Sequence, residues 1–104
     1  MNKTEKWQSF KASCRVYKSE KETLSLIHTK NPGDEMFYQF LQDDIDFVEN
    51  TFEDIDKKCG TNAKVMFWLL CVEGNTQVEI AEKYGLSRRA FQIQLYKWID
   101  EVFG

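Results

Sequence analysis

The chain has 104 residues, a formal net charge of −3 at pH 7 and a pI near 5.2. Its apolar share of 42%, including 14% aromatic residues, excludes a disordered chain and is ample for one packed core. The chain has three cysteines and no CxxC pair, which excludes a disulfide scaffold. Its longest apolar run (65–72) is far shorter than the ~20 residues of a membrane span, which excludes a membrane helix. We therefore expect a cytoplasmic protein.

The charge is unevenly distributed along the chain. Residues 1–30 carry seven Lys or Arg against three Glu, whereas residues 31–59 carry two Lys against nine acids. Residues 60–104 carry five charges of each sign and are neutral. The sequence therefore predicts weak non-specific affinity for a phosphate backbone.

The first pattern predicts a long amphipathic helix over residues 4–27 that packs within its own chain, with a dimerising coiled coil as the alternative. Apolar residues recur there at helical spacing, namely Trp7, Phe10, Cys14, Tyr17 and Leu24. Ser19 and Glu22 form a capping-box pattern that would permit a break, and His28 is placed to complement the dipole at the helix end. The outer face is basic, with Lys3, Lys6, Lys11, Arg15 and Lys18. We interpret that face as a solvated surface, with phosphate contacts as the alternative.

The second pattern begins after Asn31-Pro32-Gly33, where proline ends the first helix and Asp34 is a candidate N-cap. It predicts a helix over residues 35–58, with Gly60 just beyond its end. The predicted apolar stripe is Phe37, Leu41, Ile45, Val48, Phe52 and Ile55, widened by Phe40 and Phe47. The remaining positions are strongly acidic and include Asp43, Asp44 and Asp46. We interpret the acidic face as the solvated side of the helix, with mimicry of the DNA backbone or docking of a basic partner as the alternative.

Residues 61–72 predict a short, central helix that Thr61 caps and Gly74 follows. No alternating run elsewhere favours strands. We therefore predict an all-α fold, in which a helical N-terminal region of two amphipathic helices (1–60) precedes a three-helix unit (61–104). The two regions are expected to form one compact unit.

Residues 76–99 hold the pattern that points to function. Thr76 is a candidate N-cap for a helix with an apolar side of Val78, Ile80, Ala81 and Tyr84. The turn Gly85-Leu86-Ser87 follows, in which Leu86 is the predicted apolar plug and Ser87 caps the next helix. That helix has a predicted buried stripe of Phe91, Leu95, Trp98 and Ile99. Two helices joined by so short a turn approach closely, and Ala81 is the small residue that such a crossing requires.

With the stripe buried, the opposite face of the last helix is rich in residue types that read DNA. It presents Ser87, Arg88, Arg89, Gln92, Ile93 and Tyr96. Arginine suits guanine and glutamine suits adenine, so we predict base contacts from Arg88, Arg89 and Gln92. Apolar or sugar contacts are expected from Ile93 and Tyr96, and phosphate contacts from Thr76, Lys83 and Lys97.

These residues resemble the C-terminal, region 4-like helix-turn-helix of sigma-70 family factors, and above all the small phage and mobile-element transcriptional regulators of the ArpU type. The resemblance rests on the apolar run before Glu73-Gly74, then on residues 77–82, 85–89 and Leu95. It covers residues 61–104, under half of the chain. It implies a recognition helix over residues 87–97 and transcription regulation. Phe91 and Trp98 are bulkier than the family's usual residues, which affects the helix crossing angle.

The expected partner is double-stranded DNA, and RNA polymerase or a second copy of the chain would supplement its affinity. We predict no catalytic residues, no cofactor and no metal, since Cys14, His28, Cys59 and Cys71 have no ligand spacing. The alternative function is a protein-interaction module or phage-type inhibitor that binds through the acidic helix 35–58.

Overall fold

The computed structural model describes residues 1–27 and 32–104, and in these ranges the chain is helical with no strand. The α-helices are α1 (Lys3–Leu26), α2 (Pro32–Cys59), α3 (Thr61–Phe67), α4 (Gln77–Lys83) and α5 (Arg88–Phe103). A π-helical segment, Trp68–Val72, continues directly from α3. The predicted all-α class is confirmed. His28 and Asn31, to which the sequence assigned a dipole partner and a chain break, lie outside the described residues.

Helix α1 is continuous, so the break considered near Ser19 is wrong. Asn2 caps the helix by accepting a hydrogen bond from the Glu5 amide at 2.8 Å. The Ser19 hydroxyl donates to the Val16 carbonyl at 3.0 Å, which satisfies the serine without interrupting the helix. Phe10, Cys14 and Tyr17 are buried, as their spacing predicted.

Helix α2 begins two residues before the predicted cap. Pro32 is its first residue, a position where the missing N–H of proline costs nothing. Asp34 therefore lies in the first turn with Glu35 rather than at the N-cap, and both carboxylates complement the helix dipole there.

The buried face of α2 is narrower than predicted. Leu41, Ile45, Val48, Phe52 and Ile55 are buried, but the side chains of Phe37, Phe40 and Phe47 are 49%, 67% and 40% exposed. The first half of α2 packs against α1, as the 2.8 Å hydrogen bond from Ser13 to Asp44 shows. The helices that pack against α2 cover a stripe too narrow for these three aromatic residues.

The segment after α2 is helical as predicted, but its capping and its second half differ. Gly60, not Thr61, is the N-cap of α3, and the Thr61 hydroxyl donates to Asp56 at 3.1 Å. From Trp68 the helix widens, and the Glu73 amide donates to the Trp68 carbonyl five residues earlier at 3.0 Å.

One hydrophobic core draws on every α-helix. Its members include Phe10 of α1, Phe52 of α2, Phe67 of α3, Ile80 of α4 and Phe91 of α5. The Phe10 ring is completely buried and lies 5.3 Å from the Phe52 ring between centroids. The positions of α4 and α5 are therefore fixed by the same core that holds α1 and α2.

Across residues 1–27 and 32–104, no helix combines the length and the apolar character needed to cross a bilayer.

Candidate nucleic-acid interface

The connection between α4 and α5 is a tight turn with a glycine just beyond the end of α4. The Leu86 amide donates to the Ala81 carbonyl at 2.8 Å, and the Gly85 amide donates to Glu82 at 3.2 Å. This pair of bonds is a Schellman motif, which satisfies the last carbonyls of a helix and requires a left-handed residue. Gly85 supplies it with φ +67°.

Both helices begin at the predicted caps. The Thr76 hydroxyl accepts from the Glu79 amide, and the Glu79 carboxylate accepts from the Thr76 amide, each at 3.1 Å. This reciprocal pair is a capping box. The Ser87 hydroxyl accepts from the Ala90 amide at 3.1 Å and caps α5. The two cap predictions are confirmed, and each hydroxyl keeps its own proton available to an external acceptor.

The inward faces of α4 and α5 are only partly as predicted. Ile80, Ala81, Phe91, Leu95 and Ile99 are buried. Three other residues were expected to be covered and are not, since Val78 is 45%, Tyr84 37% and Leu86 39% exposed. Helix α4 has seven residues, so only its central pair at Ile80 and Ala81 can face the core.

The outward face of α5 is open. Arg88, Arg89 and Lys97 are exposed, and so are Ile93 and Tyr96, at 51% and 58%. On α4, Lys83 is exposed as well. In the described part of the chain these four cations form no salt bridge, since the ion pairs lie at other residues. The accessible face of α5 thus carries three cations together with the side chains of Ile93 and Tyr96.

Gln92 differs from its neighbours because another side chain holds it. It is partly buried, and its amide Nε2 donates to Oε1 of Gln77 at 2.8 Å. Gln77 is the first residue of α4, so this bond fixes the Gln92 amide relative to both helices. One N–H and the oxygen of Gln92 remain for another partner. Sequence analysis missed Gln77, because a glutamine after an N-cap carries no signal for a contact across the turn.

The acidic face of α2 is the site of the alternative function, and its three central acids have different surroundings. Asp43 and Asp46 are exposed and accept from Gln39 and Gln42 of the same helix, at 2.7 and 2.8 Å. Asp44 is half-buried against α1, where Ser13 donates to it.

A second carboxyl lies beside Asp44. Burial, followed by the neighbouring Asp44 carboxyl, raises the pKa of Glu20 to about 7. Oε2 of Glu20 is buried without a hydrogen-bond partner among the described residues. The acidic face is thus not evenly solvated, because one of its acids belongs to the contact between α1 and α2.

The three cysteines are free thiols, and two of them belong to the core. Cys14 and Cys71 are buried, and a hydrogen bond with the Cys71 thiol, together with burial, raises the pKa of Cys14 far above its usual range. The Cys59 thiol donates to Glu101 at 3.4 Å. Within residues 1–27 and 32–104, no group of His, Cys, Asp and Glu side chains is arranged to hold a metal ion.

Comparison of the chain with protein-family models, curated proteins and solved structures gave no match.

Proposed function

We propose that the chain is a sequence-specific DNA-binding transcriptional regulator of phage or mobile-element type, and that residues 87–97 enter the major groove as its recognition helix. The observation that carries the proposal is the exposed face of α5, where Arg88, Arg89, Ile93 and Tyr96 point away from the core. An α-helix fits the major groove, and its N-terminal residues lie nearest the base edges.

Each side chain on this face has a defined task under the proposal. Arg88 and Arg89 lie in the first turn of α5 and are long enough to reach guanine O6 and N7. Gln92 is oriented by Gln77 and retains one donor and one acceptor, the pair that reads adenine N7 and N6. Ile93 is an apolar partner for a thymine methyl group.

The flanking polar residues position the helix. Thr76 and Ser87 can each donate a hydroxyl proton to a phosphate oxygen while accepting from their capped amides. Lys83 and Lys97 add exposed positive charge. Because this cation set is small, affinity should depend modestly on salt, and a second copy or RNA polymerase would raise it.

The decisive experiment is selection of bound duplexes from a random DNA pool with the whole chain. The wild type should enrich one motif, and Arg88→Glu with Arg89→Glu should abolish enrichment while helical circular dichroism is unchanged. The matched control is Lys6→Glu with Lys57→Glu, which makes the same change of charge at exposed positions outside α5. Equal loss in both double variants, or no enrichment by the wild type, would refute the proposal.

The same selection separates the alternative, a protein-interaction module that acts through α2. Asp43→Lys with Asp46→Lys changes two exposed acids and spares Asp44, which packs against α1. Under the DNA proposal this variant enriches the wild-type motif. Loss of biological activity in this variant with activity retained by the arginine variant would support the alternative instead.

A further inference from the structure

A groove of about 790 Å³ lies between one side of α1 and the facing residues of the π-helical segment, α4 and α5. Its apolar lining comes from five residues, of which the last three are core residues, namely Trp7, Leu70, Cys71, Leu95 and Ile99. Its polar lining comes from both sides, with Lys3, Lys11 and Arg15 on α1 and with Gln77, Tyr96 and Asp100 on the other side.

The groove is continuous with the proposed reading face. Tyr96 lies on the outward face of α5 and also lines the groove. Gln77 lines the groove and bonds Gln92 at 2.8 Å. A duplex seated on α5 would therefore have the mouth of this groove beside it.

Two cations of this groove carry uncompensated charge. Lys3 pairs with Asp100, and Lys18 farther along α1 pairs with Glu73 at 2.7 Å. Neither Lys11 nor Arg15 has a carboxylate partner among residues 1–27 and 32–104. Lys11 lies over the Trp7 ring, with Nζ 5.1 Å from its centroid, a contact that holds the ammonium without cancelling its charge.

Lys11 and Arg15 also share one side of α1. Residues four apart lie one above the other on a helix, so both cations face the same side. Helix α1 is held in place by the core residues Phe10 and Cys14, which directly precede Lys11 and Arg15 in the sequence. The pair is therefore a fixed, net positive edge beside a face that has few cations of its own.

We propose that Lys11 and Arg15 contact the phosphate backbone of the duplex that α5 reads, so that α1 forms a second wall of the DNA-binding surface. This inference rests on the proposed function. Phosphate is the occupant with complementary charge, and the groove opens beside the residues assigned to the bases. Such contacts position the protein and add affinity without reading sequence.

The test measures affinity for the selected duplex as a function of salt. Neutralising two phosphate contacts in Lys11→Gln with Arg15→Gln should lower the log-log salt slope by about 1.8 and weaken binding roughly 10-fold or more at 0.1 M salt. The motif recovered by selection should not change. Lys6→Gln with Lys57→Gln is the control, because it removes the same charge outside the groove.

The outcomes separate the two proposals. If Arg88 and Arg89 are required for binding but the Lys11 and Arg15 double variant keeps the wild-type slope, or if the control loses as much slope, the inference is overturned and the proposed function stands. If the double variant recovers a different motif, the residues read bases and the inference is overturned as well. If the wild type binds no duplex, both proposals fall. Unchanged thermal melting of each variant shows that the fold is intact.

Discussion

Replacing Gly85 by alanine tests whether the bend between α4 and α5 depends on the left-handed backbone of one residue. Gly85 has φ +67°, and a Cβ built on it would meet no atom within 4 Å. Any cost of the substitution therefore comes from the backbone conformation and not from a steric clash. The left-handed conformation costs an L-residue roughly 1–2 kcal/mol.

Part of that cost is offset in the unfolded chain. Alanine has fewer unfolded conformations than glycine, which stabilises a protein by about 0.4–1 kcal/mol where the native backbone suits it. Gly85→Ala should therefore destabilise the protein by about 1 kcal/mol. Gly33→Ala is the matched control, because Gly33 lies in α2 without positive φ and also has open space around its Cβ position. Gly33→Ala should stabilise the protein by about 0.4–1 kcal/mol.

Urea unfolding followed by circular dichroism measures the stability of both variants. The dependence of the unfolding free energy on urea concentration should be equal in the two if their denatured states are alike. The midpoints should move in opposite directions from the wild type. A Gly85 variant as stable as the wild type would refute the left-handed requirement. A loss above about 3 kcal/mol would instead mean that the methyl group meets something, contrary to the open space at this turn.

Three further predictions concern packing and titration. Phe91→Ala should lower the free energy of unfolding by about 3–5 kcal/mol, because the ring is buried. Ile93→Ala, at a position 51% exposed, should lower it by under about 1 kcal/mol. Equal losses in denaturant unfolding would contradict the assigned faces of α5. The pKa of Glu20 is raised from 4.5 to about 7, so the stability contributed by its protonated carboxyl is complete below pH 4.5 and is lost as pH rises through 7. Glu20→Gln, which stays neutral, should therefore raise the melting temperature at pH 8 and change it little at pH 4.5. Burial and the hydrogen bond with Glu101 raise the pKa of Cys59 to about 11. Iodoacetamide should therefore alkylate Cys59 much more slowly in the folded protein at pH 8 than in the protein unfolded in urea at the same pH. Equal rates would refute the shift.

The features that sequence reasoning predicted correctly depend on residues close together in the chain. The capping box of Thr76 and Glu79 spans three residues, and so does the hydrogen bond between Ser87 and Ala90. The bend at Gly85 likewise depends on a local backbone requirement. At these positions the local signal agrees with the structure, whereas the cap signals at Asp34 and Thr61 did not fix where their helices begin.

The errors about burial arose where coverage by another helix decides the outcome. Phe40 and Leu41 are adjacent and equally apolar, yet the first is 67% exposed and the second 4%. Val78 was assigned to the apolar side of α4, but that short helix buries only its centre. Periodicity shows which residues share a face, whereas the width of the buried part depends on the neighbouring helices.

The groove beside α5 was beyond sequence reasoning for the same cause. Arg15 and Tyr96 lie 81 positions apart, and no local pattern brings them to one groove. The basic face of α1 was therefore interpreted as solvated surface, with phosphate contacts only as the alternative.

The position of α1 also bears on how a chain with net charge −3 could bind a polyanion. On its α2 side, Tyr17 donates to Glu49 at 3.1 Å, and Lys21 lies 3.9 Å from the same carboxylate. On its groove side are Lys11 and Arg15. A helix with its side chains is about 10 Å across, which exceeds the screening length of about 8 Å at physiological salt. A phosphate in the groove would thus interact mainly with the two nearby cations, and the acids beyond α1 would repel it weakly. If the chain binds DNA as proposed, the local charge of the groove would therefore affect affinity more than the net charge of the whole chain.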